Sequence, residues 1–348
     1  MTTDELIMQR CLQLARMGAG FVSPNPMVGC VIVCDGKIIG EGYHQQYGQE
    51  HAEVNAIESV KDKSILNKAT LYVSLEPCAH YGKTPPCADL IVKHKLAKVV
   101  MACTDPFAEV NGKGIAKLQS ANIEVVTGVL EKEATELNKY FLYTTKNKLP
   151  YVILKWAQTA DKFIAPLNIE DEPKEIFKVS NTLAHIHAHK LRSEVDSIMV
   201  GTNTAAQDNP ALNVRNYFGR NPVRVLLDRS LRLQPSLKLL DKTCRTIVFT
   251  EKEAESVENT EFITLPFDNF LLPNILKHLC ENKIQSLLIE GGSHLLQSFI
   301  DQNLWNEAII YNSKNELGEG VRAPVLDVAD CIQTELGDNT VLQFYNRV

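Results

Sequence analysis

The sequence contains no apolar run near the ~20 residues that a membrane-spanning helix needs. It has no tandem repeat, no low-complexity segment and no excess of positive charge. Its 36 Lys and Arg are outnumbered by 42 Asp and Glu, and residues 1–148 hold 16 of each sign. Because polynucleotide binding requires the neutralisation of many phosphates, we expect a small-molecule substrate, with no nucleic acid and no membrane as partners.

Signals for secretion are also missing. The N-terminus carries the acidic pair Asp4 and Glu5 where a signal peptide would carry positive charge. The nine cysteines are odd in number and follow no disulfide-framework spacing. We therefore expect a cytoplasmic protein whose cysteines are thiols, most of them ordinary core or surface residues.

Hydrophobic periodicity predicts alternating helices and strands along the whole chain. At 348 residues the chain is long enough for two domains, each with its own core. Residues 131–145 are predicted to form one helix, and the segment ending at Pro150 separates it from a new strand. We therefore predict two α/β domains, residues 1–146 and 147–348, the first with a mixed sheet between helices.

One histidine and two cysteines, His51, Cys78 and Cys87, are typical of a catalytic zinc site. An imidazole and two thiolates fill three corners of a zinc tetrahedron and leave the fourth for water. A carboxylate at Glu53 can transfer the protons of that water. This combination predicts a nucleobase or nucleotide deaminase, in which the activated water attacks a ring carbon and ammonia leaves.

Two alternatives remain open at this site. A purely structural zinc site would need a fourth protein ligand, either His44 or His80. A polynucleotide deaminase would have its cysteines in a Pro-Cys-x-x-Cys arrangement, whereas eight residues separate Cys78 from Cys87 here. The intervening segment instead carries polar side chains suited to a phosphorylated substrate, namely His80, Lys83 and Thr84.

Signals in the second half are weaker. A predicted strand ends at Gly291 and Gly292 before a helix, so backbone amides can approach a phosphate there. Arg192 and Arg215 carry guanidinium forks suited to a 5′-phosphate. Arg229 follows another strand and is a candidate for a cofactor 2′-phosphate, with a solvated surface arginine as the alternative.

The motifs in residues 23–29, 40–44 and 76–87 resemble the deaminase half of the RibD family, the bifunctional enzymes of riboflavin biosynthesis. Residues 153–161, 200–204, 208–212 and 290–292 resemble its reductase half. The resemblance implies a cytidine-deaminase-like α/β/α sandwich followed by a dihydrofolate-reductase-like α/β domain. It also implies a substrate, 2,5-diamino-6-(5-phosphoribosylamino)pyrimidin-4(3H)-one, that is first deaminated and then reduced from ribosyl to ribityl by NADPH.

The same resemblance assigns site residues. Zinc is held by His51, Cys78 and Cys87, and Glu53 transfers protons. The deaminase substrate is lined by Asn25, His44, His80, Lys83, Thr84 and Asp105. NADPH is contacted by Gln158, Thr204, Asp208, Gly292, Ser293, His294, Leu295, Leu296, Gln297 and Ser298, with Arg229 added from the residue argument above. The reductase substrate is held by Arg192, Leu212, Arg215 and Glu290.

Two departures from the family pattern bear on reduction. Lys162 stands where the family usually has Gly, and Lys178 stands where it has a Trp that would flank the nicotinamide. They leave open a deaminase-only enzyme whose second domain binds nucleotide without efficient reduction. We expect a homo-oligomer, and we interpret His185, His187 and His189 as plain helix positions rather than a second metal site.

Overall fold

A computed structural model describes residues 1–79, 81, 85–106, 112–167 and 179–346 of the chain. The chain divides into two compact units, Met1–Lys148 and Leu149–Val348. The first unit contains α1 (Thr3–Arg16), β1 (Gly29–Cys34), β2 (Lys37–Tyr43), α2 (Ala52–Ser59), β3 (Thr70–Leu75), α3 (Cys87–Lys93), β4 (Lys98–Cys103), α4 (Lys113–Ser120), β5 (Glu124–Val126), α5 (Glu131–Leu137) and α6 (Lys139–Asn147).

The strands of the first unit form a mixed sheet in the order β2-β1-β3-β4-β5. The hairpin strands β1 and β2 are antiparallel, whereas β3, β4 and β5 run parallel. Alternate strand residues point to opposite faces, as the period of two requires. Val31, Tyr72 and Val100 pack with residues of α1 and α5. The other face packs against α2, α3 and α4, so the sheet is covered by helices on both sides.

The single helix predicted over residues 131–145 is instead two helices, α5 and α6. The chain bends at Asn138, where φ is −103° and ψ is 21°. The Asn138 side chain accepts a hydrogen bond from Met27 N at 2.8 Å and donates one to Met27 O at 2.9 Å. This buried amide ties the bend to a segment distant in sequence, which helix propensity does not register.

The second unit contains β6 (Tyr151–Gln158), β7 (Phe163–Ala165), α7 (Thr182–Glu194), β8 (Ser197–Val200), α8 (Thr202–Asp208), β9 (Val223–Leu227), β10 (Thr246–Thr250), β11 (Thr260–Thr264), α9 (Leu271–Glu281), β12 (Ser286–Ile289), α10 (Ser293–Asp301), β13 (Glu307–Asn312), β14 (Val321–Arg322), β15 (Cys331–Leu336) and β16 (Asn339–Tyr345). Its main sheet has the order β11-β10-β9-β8-β12-β6-β13-β16-β15. From β11 to β13 the neighbouring strands are parallel, so their carboxyl ends share one edge, where ligands of open α/β sheets bind.

Strands β8 and β12 are fully buried, as expected for the middle of a parallel sheet covered on both faces. The core around them includes Trp156, Phe249, Phe299 and Trp305. Among the residues described, no helix is long and apolar enough to cross a membrane.

Lys162 lies in the turn between β6 and β7. Its φ is +68°, in the left-handed region that favours glycine, and its backbone N donates to Thr159 O at 3.0 Å. Asp161 stabilises the same turn by accepting bonds from the backbone N atoms of Leu317 and Gly318. The departure at Lys162 therefore concerns the backbone conformation of a turn. Lys178, the other departure, lies outside the described residues.

Candidate active sites

The three predicted metal ligands lie together. His51 is the N-cap of α2, Cys78 follows β3, and Cys87 begins α3. His51 Nδ1 is 3.6 Å from Cys78 Sγ and 3.3 Å from Cys87 Sγ, and all three ligand atoms lie within 4.8 Å of one another. With usual Zn–N and Zn–S bond lengths, a tetrahedral ion separates such atoms by about 3.5–3.8 Å. The donor set and its spacing therefore fit zinc.

The two thiols of the triad are shifted in opposite directions, because the hydrogen bond between them and burial raise the pKa of Cys87, while the pKa of Cys78 is lowered. A hydrogen bond from Cys87, with help from His51, lowers the pKa of the Cys78 thiol to about 4, although burial opposes this shift. The backbone N of Cys87 also donates to Cys78 Sγ at 3.3 Å. A thiolate is the form of cysteine that binds metal, so Cys78 is prepared as a ligand at neutral pH.

Glu53 lies in the first turn of α2, two residues after His51, and only 3 % of it is exposed. Burial raises the pKa of this carboxyl group to about 7. A buried carboxyl group next to the triad can exchange a proton with a group bound there without forming an unpaired charge in a dry site.

His44 is not a fourth ligand. Its Nδ1 is 2.9 Å from Glu50 O, which can only accept, so Nδ1 carries the proton. Its Nε2 then accepts from Asn25 Nδ2 at 3.1 Å. Burial lowers the pKa of His44 and keeps it neutral. The His44 ring stands edge-on to the His51 ring with centroids 5.5 Å apart, so His44 and its partner Asn25 border the triad. Their contact with a substrate stays a prediction.

The remaining predicted deaminase contacts divide into two groups. Asp105 is 7 % exposed and lies just after β4, where its backbone N donates to Glu76 Oε2 at 3.4 Å. The other group is His80, Lys83 and Thr84, which were predicted in the segment between the two cysteines and lie outside the described residues.

Glu76, which the sequence analysis did not single out, fixes the segment that carries Cys78. Its buried carboxylate accepts backbone N–H bonds from Gly112 at 3.0 Å, Gly114 at 3.0 Å and Ile115 at 3.3 Å. A side chain at Gly114 would meet Pro77 O at 2.2 Å, so the first turn of α4 packs directly on the Glu-Pro-Cys turn. In the sequence, the only indication of this role is that Glu76 directly precedes Pro77 and Cys78.

In the second unit, an open cleft of about 1330 Å³ lies at the carboxyl ends of β8, β9 and β12. Gly291 and Gly292 have φ values of +117° and +77°, and a Cβ at Gly292 would lie 3.0 Å from Thr204 Oγ1. The glycines therefore keep the backbone exposed to the cleft. Most of the predicted cofactor residues line it: Thr204, Asp208, Arg229, Gly292, Ser293, His294, Leu295, Leu296, Gln297 and Ser298.

Of the predicted substrate residues of the second unit, Glu290 lines the cleft and Arg192 contacts it. Arg192 donates to both carboxylate oxygens of Glu290 at 2.7 Å, and Lys155 Nζ lies 3.6 Å away. Burial alone would raise the pKa of Glu290, but Lys155 and Arg192 hold it at about 2. The Arg192 fork is thus directed at Glu290, whereas the Arg215 side chain is exposed.

Other predicted positions lie away from the cleft lining. Gln158 is buried and bonds to Trp156 Nε1 and Asn312 Oδ1, both at 2.8 Å. Leu212 is buried, with φ of +47°. His189 accepts a bond from Arg215 N at 3.2 Å.

His187 Nδ1 is 2.7 Å from the hydroxyl of Tyr311. No metal cluster forms from the α7 histidines within the described part of the chain.

Each of the two units matches a known protein family. Residues 1–103 match the cytidine and deoxycytidylate deaminase zinc-binding region, and residues 150–347 match the RibD C-terminal domain. The chain is therefore a two-domain enzyme that joins a zinc-binding deaminase domain to a reductase domain.

Relatives along the whole chain give the family. RibD of Aquifex aeolicus is 41% identical over 327 residues, which cover 91% of this chain and 89% of that protein. RibD of Escherichia coli is 33% identical, covering 92% and 90%. The crystal structure of a diaminohydroxyphosphoribosylaminopyrimidine deaminase/5-amino-6-(5-phosphoribosylamino)uracil reductase from Thermotoga maritima matches with a TM-score of 0.88 and 36% identity, over 98% of both chains. The chain belongs to the RibD family of riboflavin biosynthesis proteins.

These findings confirm the resemblance, the fold class and the bifunctional assignment that the sequence predicts. The deaminase-only alternative finds no support, because the reductase domain is matched across residues 150–347. Cofactors follow the two domains, zinc in the first and the reductase cofactor in the second.

Proposed function

We propose that the first domain deaminates 2,5-diamino-6-(5-phosphoribosylamino)pyrimidin-4(3H)-one at ring carbon 2, with His51, Cys78 and Cys87 as zinc ligands. The observation that carries this proposal is the cluster of these three ligand atoms beside a buried Glu53. The name of the similar Thermotoga maritima enzyme supports the substrate class. We assign the deaminase activity to residues 1–146 and the reductase activity to residues 147–348.

Bound zinc would supply Lewis-acid activation of a water at its open coordination position. Glu53 would hold and move the protons of the reaction at its carboxyl oxygens, because this buried carboxyl group lies two residues from His51. Asn25 and the neutral His44 orient the pyrimidine ring through a hydrogen-bonded pair of fixed direction. His80, Lys83, Thr84 and Asp105 complete the proposed substrate contacts.

In the second domain we propose that NADPH lies in the cleft and reduces the ribosyl group to ribityl. The backbone at Gly291 and Gly292 and the first turn of α10 bind the pyrophosphate. Glu290, with Arg192 and Lys155, fixes the ribosyl hydroxyls beside the cofactor. Leu212 and Arg215 hold the remainder of the phosphoribosyl substrate, and Gln158 acts through the hydrogen bonds that it makes to Trp156 and Asn312.

The proposed partners are small molecules. The acidic excess of the chain favours this over nucleic acid, and a homo-oligomer remains a prediction that sedimentation velocity would test. A cytoplasmic location is proposed because the nine cysteines are odd in number and follow no disulfide-framework spacing.

The decisive experiment supplies the diaminopyrimidine ribotide with and without NADPH and follows the products by mass spectrometry. We expect the exchange of an amino group for oxygen in both reactions, and the addition of two hydrogens only with NADPH. If the deaminated intermediate is supplied and no NADPH is consumed, the second activity is removed.

A further inference from the structure

Two arginines of the cleft follow β9. This strand ends at Leu227, and Arg229 and Arg232 come after it. Strand β9 pairs in parallel with β8, whose end leads into Gly201 and the cofactor residue Thr204. In dinucleotide sites of parallel sheets, a side chain after a neighbouring strand discriminates between a ribose 2′-hydroxyl and a 2′-phosphate. Either arginine is therefore in the right part of the cleft to do so.

The charge of Arg229 is already compensated. Its Nε donates to Glu251 Oε2 at 2.7 Å. The other oxygen of Glu251 accepts from Phe267 N at 3.0 Å, so the carboxylate is held in place. A 2′-phosphate that approached Arg229 would also meet this fixed negative charge, which reduces the net attraction.

The charge of Arg232 is not compensated in this way. Its Nη2 donates at 2.6 Å to Asn203 Oδ1, a neutral amide oxygen. Among the described residues, no carboxylate forms an ion pair with Arg232. Its backbone N, together with that of Leu233, is bound by the buried carboxylate of Asp228 at 3.1 and 3.0 Å.

A fixed backbone and a neutral side-chain partner orient a full positive charge at the cleft. Asn203 directly precedes Thr204, which contacts the Gly291–Gly292 turn. We propose that Arg232, oriented by Asn203, binds the 2′-phosphate and selects NADPH over NADH, and that Arg229 does not. This inference depends on the proposed binding of NADPH in this cleft.

The first test is equilibrium binding of adenosine 2′,5′-bisphosphate and of 5′-AMP to the full-length protein by calorimetry. Loss of a charged hydrogen bond to phosphate predicts an affinity for the bisphosphate that is about 10- to 100-fold lower in Arg232→Gln, with 5′-AMP binding unchanged. Arg229→Gln should change bisphosphate affinity less than about threefold, as should Arg245→Gln, whose arginine pairs with Glu261 outside the cleft lining. A large loss in Arg229→Gln with none in Arg232→Gln overturns the inference.

A second variant guards against simple misfolding. Asn203→Asp keeps Arg232 but gives it a carboxylate partner, so the preference of NADPH over NADH, measured as kcat/KM, should fall about tenfold or more. If the wild-type enzyme oxidises NADPH and neither variant changes this preference, only the Arg232 inference fails. If the wild-type enzyme oxidises neither cofactor, the proposed reductase function fails instead.

Discussion

Arg192 and Glu290 form a bidentate ion pair in which Nε and Nη2 each lie 2.7 Å from a carboxylate oxygen. The pair connects α7 to the end of β12, directly ahead of the glycine turn of the cleft. Both side chains are largely buried, with exposures of 13% and 7%. Lys155 also faces Glu290, so one carboxylate balances the positive charge of two side chains.

Replacing that acid should damage the second domain in two ways. Glu290→Gln leaves two buried cations without a counter-charge, so we expect a loss of stability of about 3–5 kcal/mol and loss of reduction, with deamination retained. Both tryptophans, Trp156 and Trp305, are buried in this domain, so tryptophan fluorescence during urea unfolding measures the change. Glu261→Gln, which breaks the exposed pair with Arg245, should cost less than about 1 kcal/mol. Equal losses in the two variants would contradict the prediction.

The role of Glu53 is tested separately from zinc binding. Glu53→Gln keeps the shape of the site but cannot transfer protons, so ammonia release should fall by at least about 100-fold. Zinc content, measured by elemental analysis, should remain that of the wild type. Glu58→Gln is the matched control, because Glu58 lies on the same helix and is paired with Lys63 at the surface. A zinc-loaded Glu53→Gln enzyme with full activity would eliminate the mechanism.

Glu76 should control zinc affinity through the position of Cys78. In the wild type, backbone N–H groups donate to both carboxylate oxygens of Glu76. In Glu76→Gln one of these oxygens becomes an NH2 group that cannot accept, so some of the hydrogen bonds that fix the Glu-Pro-Cys turn are lost. Residues that orient metal ligands typically change affinity by about 10- to 100-fold, and we expect a loss of that size in competition with a chromogenic chelator. Glu124→Gln, at an exposed pair with Lys98, should leave zinc affinity unchanged. An unaltered affinity in Glu76→Gln would show that the turn is held by other contacts.

The cluster of His51, Cys78 and Cys87 could be predicted from sequence because its chemistry is local to short motifs. Cys78 and Cys87 follow prolines, and Glu53 is two residues from His51, so residue type and spacing were sufficient. The role of Glu76 could not be predicted from sequence, because its partners Gly112 and Gly114 are brought to it only by the packing of α4 against the end of β3.

Other misses have the same origin. The bend at Asn138 depends on the backbone of Met27, which lies 111 residues earlier. The pairing of Arg192 with Glu290 spans 98 residues. Periodicity detects which face of a helix is apolar, but it does not show which distant polar group that face will meet.

Lys162 offers a test of the turn between β6 and β7. Because its φ of +68° is costly for a residue with a Cβ, Lys162→Gly should stabilise the second domain by about 1 kcal/mol. The residue does not line the cleft, so NADPH oxidation should be unchanged. The same fluorescence-detected unfolding measures the gain, and Lys162→Ala, which keeps the Cβ, should show none. A fall in stability on introducing glycine would mean that the lysine side chain contributes more than the backbone loses.

The stability of the second domain should fall on acidification because of His189. Burial, with Arg192 and Arg215 nearby, lowers the pKa of this histidine to about 4, from an unfolded value of about 6.5. Because the folded pKa is the lower one, the unfolded chain binds the proton first. The contribution of neutral His189 is therefore complete above about pH 6.5 and is lost as the pH falls from there towards 4, at up to about 1.4 kcal/mol per pH unit.

His189→Gln should flatten this dependence, because glutamine carries no titratable group. Urea unfolding at a series of pH values between these limits, followed by tryptophan fluorescence, gives the slope for each protein. His185→Gln is the matched control, since His185 is an exposed residue of the same helix. We expect the wild type and His185→Gln to lose stability in parallel as the pH falls, while His189→Gln loses less. Parallel curves for all three proteins would assign the acid sensitivity to other groups.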